Sequence, residues 1–309
     1  MFDNNAKEQK KEVSEWWNTD VIKKWDIIYD EYSVHDIEYL TNRQNIILKL
    51  IDELRKNKKI IKVLELGYGG GQTVLELGKR KFEVHGIDIS QNLCELATKR
   101  CRTNFPNGDF NLTVGSIEEN YNYNDNYFDL VIVCGALQYL FDISKCMKEV
   151  NRVLKPGGHF IVAQRNHYSL SNMTTFRDIV RTFAHFILRE KHELHPSYKS
   201  ILVESKLGVI FKRYKDSKLM NTNCMLKGYD EWKYKIDKKK VSSTLLSRLL
   251  KKNKFIILKK LGSYYCFSEK IKYYNANIKF DRFFKKLADL KFVPFLKYLG
   301  RSVVILSEK

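Results

Sequence analysis

Between Val63 and Gly78 the chain reads VLELGYGGGQTVLELG: an apolar run, four glycines in five residues, then a stretch with helical spacing. Glycine adopts positive φ and lets a ligand or a second backbone come close, at an entropic cost. A strand, a glycine turn and a helix in that order call for an α/β arrangement. The helix N-terminus then faces the turn, where a nucleotide-like ligand is favoured. The flanking sequence keeps the same rhythm. Strands are predicted at Ile61–Leu66, Phe82–Ile87, Phe110–Val114, Phe128–Cys134 and His159–Gln164. Helices are predicted at Gln72–Lys79, at Ser90–Arg102 with Ser90 as its cap, and at Ile143–Leu154. Such alternation predicts a parallel sheet covered by helices on both faces.

Outside this core the pattern changes. Residues 14–56 read as helices, one capped by Ser14 and carrying Trp16, Trp17 and Trp25, the other over Asp36–Lys56. We take 1–58 as a helical lid and 59–309 as the main domain. After Gln164 the rhythm breaks, and two insertions, at about 167–240 and 262–300, are expected to build an acceptor pocket among the last elements. Ser242–Lys252 reads as a helix, and Phe255–Leu261 and Ser302–Ser307 as strands.

Composition narrows the setting. No apolar run in the 309 residues approaches the ~20 residues of a membrane span, and the first residues lack the apolar core of a signal peptide. The six cysteines have no metal-type spacing and read as reduced thiols of a cytoplasmic protein. Residues 201–309 hold 27 Lys and Arg against 9 Asp and Glu, a balance of +18, which leaves +1 of the total +19 for residues 1–200. A basic last third suits an anionic surface.

Two known glycine loops fail here. A P-loop needs Lys and Ser or Thr after its last glycine, but Gln72 and Thr73 follow Gly71; the dinucleotide fingerprint started at Gly67 needs glycine at position 72. What remains is Glu65-x-Gly67-x-Gly69-x-Gly71, followed by GIDIS (86–90), FDLVIV (128–133) and RVLKPGGHF (152–160). On these four ordered motifs the chain resembles the class I S-adenosylmethionine-dependent methyltransferases, in their broad group of small-molecule and lipid modifiers. The resemblance is close over roughly 60–165. It implies a Rossmann-like, doubly wound sheet of about seven mostly parallel strands, with S-adenosyl-L-methionine as cofactor.

The resemblance also implies roles. Glu65 matches the acidic residue beneath the cofactor's amino group. Gly67, Gly69 and Gly71 match the loop under its methionine and ribose parts. Asp88 matches the carboxylate on the ribose diol, Ile89 an apolar contact to adenine, and Cys134 a backbone contact to the methionine part. Ser116 and Ile117 fall where the family often places an acidic residue for the adenine amino group; Ser116 departs from that, and Glu118 or backbone groups are the alternatives. Tyr29 and Tyr32 fall where relatives lay an aromatic segment over the cofactor, with ordinary helix packing as the other reading. Lys155–Gly158 matches a structural turn.

Acceptor chemistry is less constrained. The chain has CGAL (134–137) where adenine-N6 enzymes carry [DNS]PP[YFW], and it has no Pro-Cys pair for cytosine-C5 chemistry, so no DNA substrate is expected. AQRNHYSL (163–170) follows a strand on the cofactor side. Its His167 is the candidate general base for a hydroxyl, with substrate positioning as the alternative. HELHPSYKS (192–200) lacks a third ligand, so no metal is expected. FDRFFKKLADLKFVPFLKYLGR (280–301) has the mix of an interfacial segment, or of a packed cap helix with a solvated lysine face. The leading expectation is methylation of a hydroxyl or amine on a small or lipid-linked metabolite, such as a cell-envelope saccharide precursor, with peripheral contact to an anionic membrane. An RNA methyltransferase and a non-catalytic cofactor-binding module stand as alternatives.

Overall fold

The computed structural model describes residues 2–18, 34–166, 169, 241–263, 265, 279, 281–283, 286 and 299–309. Two helices come first, α1 (Phe2–Trp17) and α2 (Val34–Arg55). The alternating core follows: β1 (Lys62–Leu66), α3 (Gln72–Lys79), β2 (Glu83–Asp88), α4 (Gln91–Asn104), β3 (Phe110–Val114), β4 (Phe128–Cys134), α5 (Ile143–Val153) and β5 (Leu154–Arg165). α6 (Ser243–Lys252), β6 (Ile256–Ser263) and β7 (Ser302–Glu308) complete the described elements.

The seven strands form one sheet in the order β3-β2-β1-β4-β5-β7-β6. Strands β1 to β5 pair in parallel, and β7 runs antiparallel to both β5 and β6, so one strand of the seven is reversed. From β1 the chain winds outward to β3, then returns to place β4 on the other side of β1. The crevice at the carboxyl ends of β1 and β4 is therefore the topological switch point, where open α/β sheets bind ligands.

Alternation along each strand feeds two cores. Val63, Leu130, Ile132, Ile161 and Val304 face one layer with Ile47 and Ile51 of α2, Val74 and Leu77 of α3, and Ala97 and Cys101 of α4. Leu64, Leu66, Val131, Val133, Phe160 and Val162 face the other, with Met147 and Val150 of α5 and Leu246 and Leu250 of α6. Ser90 caps α4 by accepting from Leu93 N, and Asp142 caps α5 by accepting from Ser144 N and Lys145 N.

Three differences from the sequence reading have local causes. Ser14 is not a helix cap: it lies in the last turn of α1, and its hydroxyl donates to the Ile89 carbonyl at 3.3 Å. β5 starts before His159, because residues 155–158 are a bulge within the strand: Phe128 pairs Leu154 and Leu130 pairs His159, with Gly157 at φ 72°. The expected lid at 1–58 divides. Among the described residues, α1 contacts the loops after β2, β3 and β4, whereas α2 packs its Ile47, Leu50 and Ile51 into the sheet's own core.

Candidate functional site

The glycine turn is held by the strands beside it. Gly67 N donates to Ile87 O at 2.7 Å, and Gly71, at φ 83°, occupies the N-cap position of α3. A Cβ on Gly67 would lie 2.5 Å from Ala136 Cβ, and one on Gly71 2.9 Å from Ala97 Cβ, so these two glycines serve close packing. Gly69 differs. Its φ is 55°, yet a Cβ there would meet nothing within 4 Å among the described residues. None of the described residues fills the space on that side of it.

Asp88, at the end of β2, is buried and braces that turn. One carboxylate oxygen accepts from Gly69 N at 2.9 Å, the other from Ser90 N at 3.0 Å. Burial raises its pKa, against the pull of those backbone donors. With Ile89 N–H also donating, the carboxylate keeps one of its four acceptor sites for a further donor. Glu65 is 2% exposed, and its Oε2 has no hydrogen-bond partner among the described residues. Burial pushes its carboxyl up to about 8, while Thr73 and the charge of Arg43 pull the other way. An orphaned buried carboxyl beside an open glycine is an arrangement that a cationic group on a ligand would complete. The donor set fits S-adenosylmethionine: a carboxyl for its ammonium, a carboxylate for a diol, and backbone space for the part between.

The other expected contacts divide. The Ile89 carbonyl already accepts from Ser14, and its side chain is half-buried. Ser116 Oγ accepts from Glu118 N at 3.3 Å. Ile117 is buried in the core, and its carbonyl accepts from Tyr121 Oη at 2.8 Å. Glu118 accepts a short hydrogen bond from Asp142 N, which commits that carboxylate oxygen to the start of α5. Cys134 ends β4, where burial raises the thiol pKa and Arg43 lowers it. Tyr29, Tyr32, His167 and HELHPSYKS lie outside the described residues, as do most of both insertions.

α1 spans the three loops around the crevice. Gln9 Nε2 donates to Tyr139 O after β4 at 3.3 Å, and Lys10 pairs with Glu119 after β3 at 2.8 Å. At its other end Ser90 Oγ lies 3.1 Å from Trp17 O and 2.8 Å from Asn18 Oδ1, and Asn92 Nδ2 donates to Asn18 O at 2.9 Å. Trp16 and Trp17 pack edge to face 4.6 Å apart, and Tyr139 lies within 6.2 Å of each.

Two residues escaped the sequence reading of the site. Arg43 lies at the end of β4, with its guanidinium beside Gly135; its signal was an arginine on the apolar stripe Leu40, Ile47, Leu50, Leu54. Gln164, near the end of β5, is 1% exposed, and neither of its amide atoms has a hydrogen-bond partner among the described residues.

A family model described as a methyltransferase domain matches residues 64–162, the stretch that carries the glycine turn, Asp88, β4 and β5. Residues 64–162 are a class I methyltransferase domain. Curated relatives match it, two of which illustrate their range. Demethylmenaquinone methyltransferase of Tropheryma whipplei (strain Twist) is 27% identical over 135 residues, 41% of this chain and 54% of the relative. Phosphoethanolamine N-methyltransferase 2 of Caenorhabditis elegans is 26% identical over 181 residues, 52% of this chain and 39% of the relative. The chain thus spans about half or less of the curated relatives it matches. The fold of the methyltransferase domain extends further. Magnesium protoporphyrin IX methyltransferase from Synechocystis PCC 6803, solved with bound SAH, aligns at a TM-score of 0.56 and 12% identity, covering 97% of this chain and 99% of that one. Among the described residues no helix is long and apolar enough to cross a membrane, and no cluster of His, Cys, Asp and Glu has a metal-binding arrangement.

Proposed function

We propose that the protein is an S-adenosylmethionine-dependent methyltransferase acting on a small or lipid-like acceptor. The observation that carries the reading is the open face of Gly69 between the buried carboxyls of Glu65 and Asp88. Glu65 would take the cofactor's ammonium, Asp88 the ribose diol, and the turn the backbone of the ligand. When bound, the cofactor supplies a methyl group already activated on a sulfonium sulfur. The chain's own residues then chiefly align the reactants and exclude water, which can be worth up to ~7–11 kcal/mol of barrier. α1 closes over the crevice, and its tryptophans with Tyr139 give an apolar wall that tolerates a cation. Gln164, with unused donors and acceptors at the end of β5, is the group we assign to holding the acceptor.

The names of the two curated relatives, one for demethylmenaquinone and one for phosphoethanolamine, support an acceptor of small or lipid-like kind. Within that class we favour a hydroxyl or amine acceptor, with a lipid-linked saccharide precursor as the finer reading and His167 as its base. The test is transfer from methyl-labelled cofactor into extract of the source cells, fractionated into lipid, small molecule, RNA and protein. Label in the lipid or small-molecule fraction supports the reading. Label in RNA, or cofactor binding without transfer, refutes it.

A further inference from the structure

Of the four glycines in the turn, Gly67, Gly69 and Gly71 lie at positive φ, and Gly70 does not. Its φ therefore calls for no glycine, and the reason lies in what surrounds it. A Cβ built on Gly70 would lie 2.9 Å from Arg100 Nη1, 3.1 Å from Gln72 Nε2 and 3.3 Å from Gln72 Oε1. Arg100, half-buried on α4, uses that space: its Nη1 donates to the Gly70 carbonyl at 2.9 Å. A guanidinium donor makes the stronger, charge-assisted kind of hydrogen bond. α4 meets the turn at a second point on the same face, where Ala97 lies against Gly71. The Gly69–Gly70 segment is thus held at both ends. Asp88 of β2 accepts from Gly69 N at 2.9 Å, and Arg100 of α4 donates to Gly70 O. Asp88 is also the group that a ribose diol would engage. Arg100 grips the turn from the helix instead, and so keeps its shape when Asp88 turns to a ligand.

Resting on the cofactor reading above, we infer that Arg100 is a positioning residue for the cofactor. Through the Gly70 carbonyl it holds the turn in the shape that leaves the face of Gly69 open, and position 70 is glycine to let the guanidinium in. Arg100 acts through the backbone rather than on the ligand. The turn is then formed before the cofactor arrives, which spares binding the cost of ordering it. One helix links the two ligand-facing segments: its N-cap Ser90 follows Asp88, and its Arg100 holds the glycine turn.

Titration calorimetry with S-adenosylmethionine tests this. Arg100→Met keeps the stem without the donors; it should bind about tenfold more weakly than wild type at an unchanged melting temperature. Arg100→Lys keeps a charged donor and should recover most of that loss. Gly70→Ala, whose methyl displaces the guanidinium, should cost about as much as Arg100→Met. The double variant should cost no more than either alone, since both changes break one contact, whereas independent effects would multiply. In spectra of the free protein labelled with 15N-glycine, the Gly69 and Gly71 signals should move in Arg100→Met and return toward their wild-type positions in Arg100→Lys. If Arg100→Met melts early, Gly70→Ala and Arg100→Lys carry the test. Wild-type affinity in Arg100→Met or Gly70→Ala overturns the inference and leaves the cofactor reading intact. So do losses that multiply in the double variant, or an Arg100→Lys variant no better than Arg100→Met. Wild-type protein that binds no cofactor overturns the cofactor reading, and the inference with it.

Discussion

Glu65→Gln should make the free protein less sensitive to alkaline pH while weakening its hold on the cofactor. The Glu65 carboxyl moves from an ordinary 4.5 to about 8 on folding. A folded-state pKa above the unfolded value means that the native state keeps the proton more tightly. Stability from this group is therefore fully present below about pH 4.5 and is lost as pH rises toward 8. At 1.36 kcal/mol per unit, the loss is under about 1 kcal/mol at pH 5, about 3 at pH 7 and about 4 at pH 8. Glutamine has the same shape and no ionisation, so the variant should lack this slope. Its amide, buried without a partner, costs about 1–3 kcal/mol, so the two proteins should cross between pH 5 and 8. Urea denaturation at both pH values reads the difference: wild type should lose about 3 kcal/mol more than the variant. Calorimetry at pH 7 in two buffers of different ionisation enthalpy should show wild type releasing close to one proton per cofactor bound, as the ligand's ammonium draws Glu65 into its charged form, and the variant none. Equal pH slopes in the two proteins would refute the reasoning, because Glu65 would then ionise without cost.

Gly69→Val should leave the circular dichroism spectrum intact and abolish cofactor binding, because the side chain would enter the open space beside the turn, and a β-branched residue resists φ 55°; normal binding by a folded variant would reduce that space to a feature of the turn. Asp88→Ala should weaken cofactor binding by about 2–4 kcal/mol, since the ribose contact and the brace on Gly69 N are lost together; unchanged affinity would remove Asp88 from the site. Gln164→Leu should stabilise the protein by about 1–3 kcal/mol, by removing a buried amide that makes no hydrogen bond among the described residues. It should also raise the acceptor KM with cofactor affinity unchanged, and an unaltered KM would end its assignment to the acceptor.

The sheet was legible because its signals are local. Phe110–Val114 and Phe128–Cys134 are apolar runs between turn residues, and both strands have those bounds in the structure. Ser90 read as a cap and is one. The glycine turn and Asp88 were placed at strand ends by the same local signals, while their roles toward a cofactor came from the resemblance. Ser14 misled because it satisfies the local rule for a cap, whereas α1 takes its place from contacts with distant loops. Arg43 was missed because a single cation in an apolar stripe looks like a fault in the pattern. Its guanidinium lies beside Gly135, far along the chain and brought near only by the fold. The bulge at 155–158 read as a turn before a strand, because pairing on both sides of it depends on β4 and β7.

The reversed strand has a consequence for how the sheet comes together. β1, β2 and β3 pair with near neighbours along the chain, but β7 joins β5 across a long interval, with Ser307 Oγ meeting the Phe160 carbonyl 147 residues away. Closing a loop of that length costs about 4 kcal/mol in chain entropy before any contact repays it. β6 cannot enter the sheet until β7 is seated between it and β5. Until β7 is seated, whether alone or already paired with β6, the apolar edge of β5, Ile161 and Val162 included, has no partner strand. An exposed edge of this kind is where two half-folded chains would join. Concentration during refolding, more than any flaw in the finished core, should set the yield of native protein.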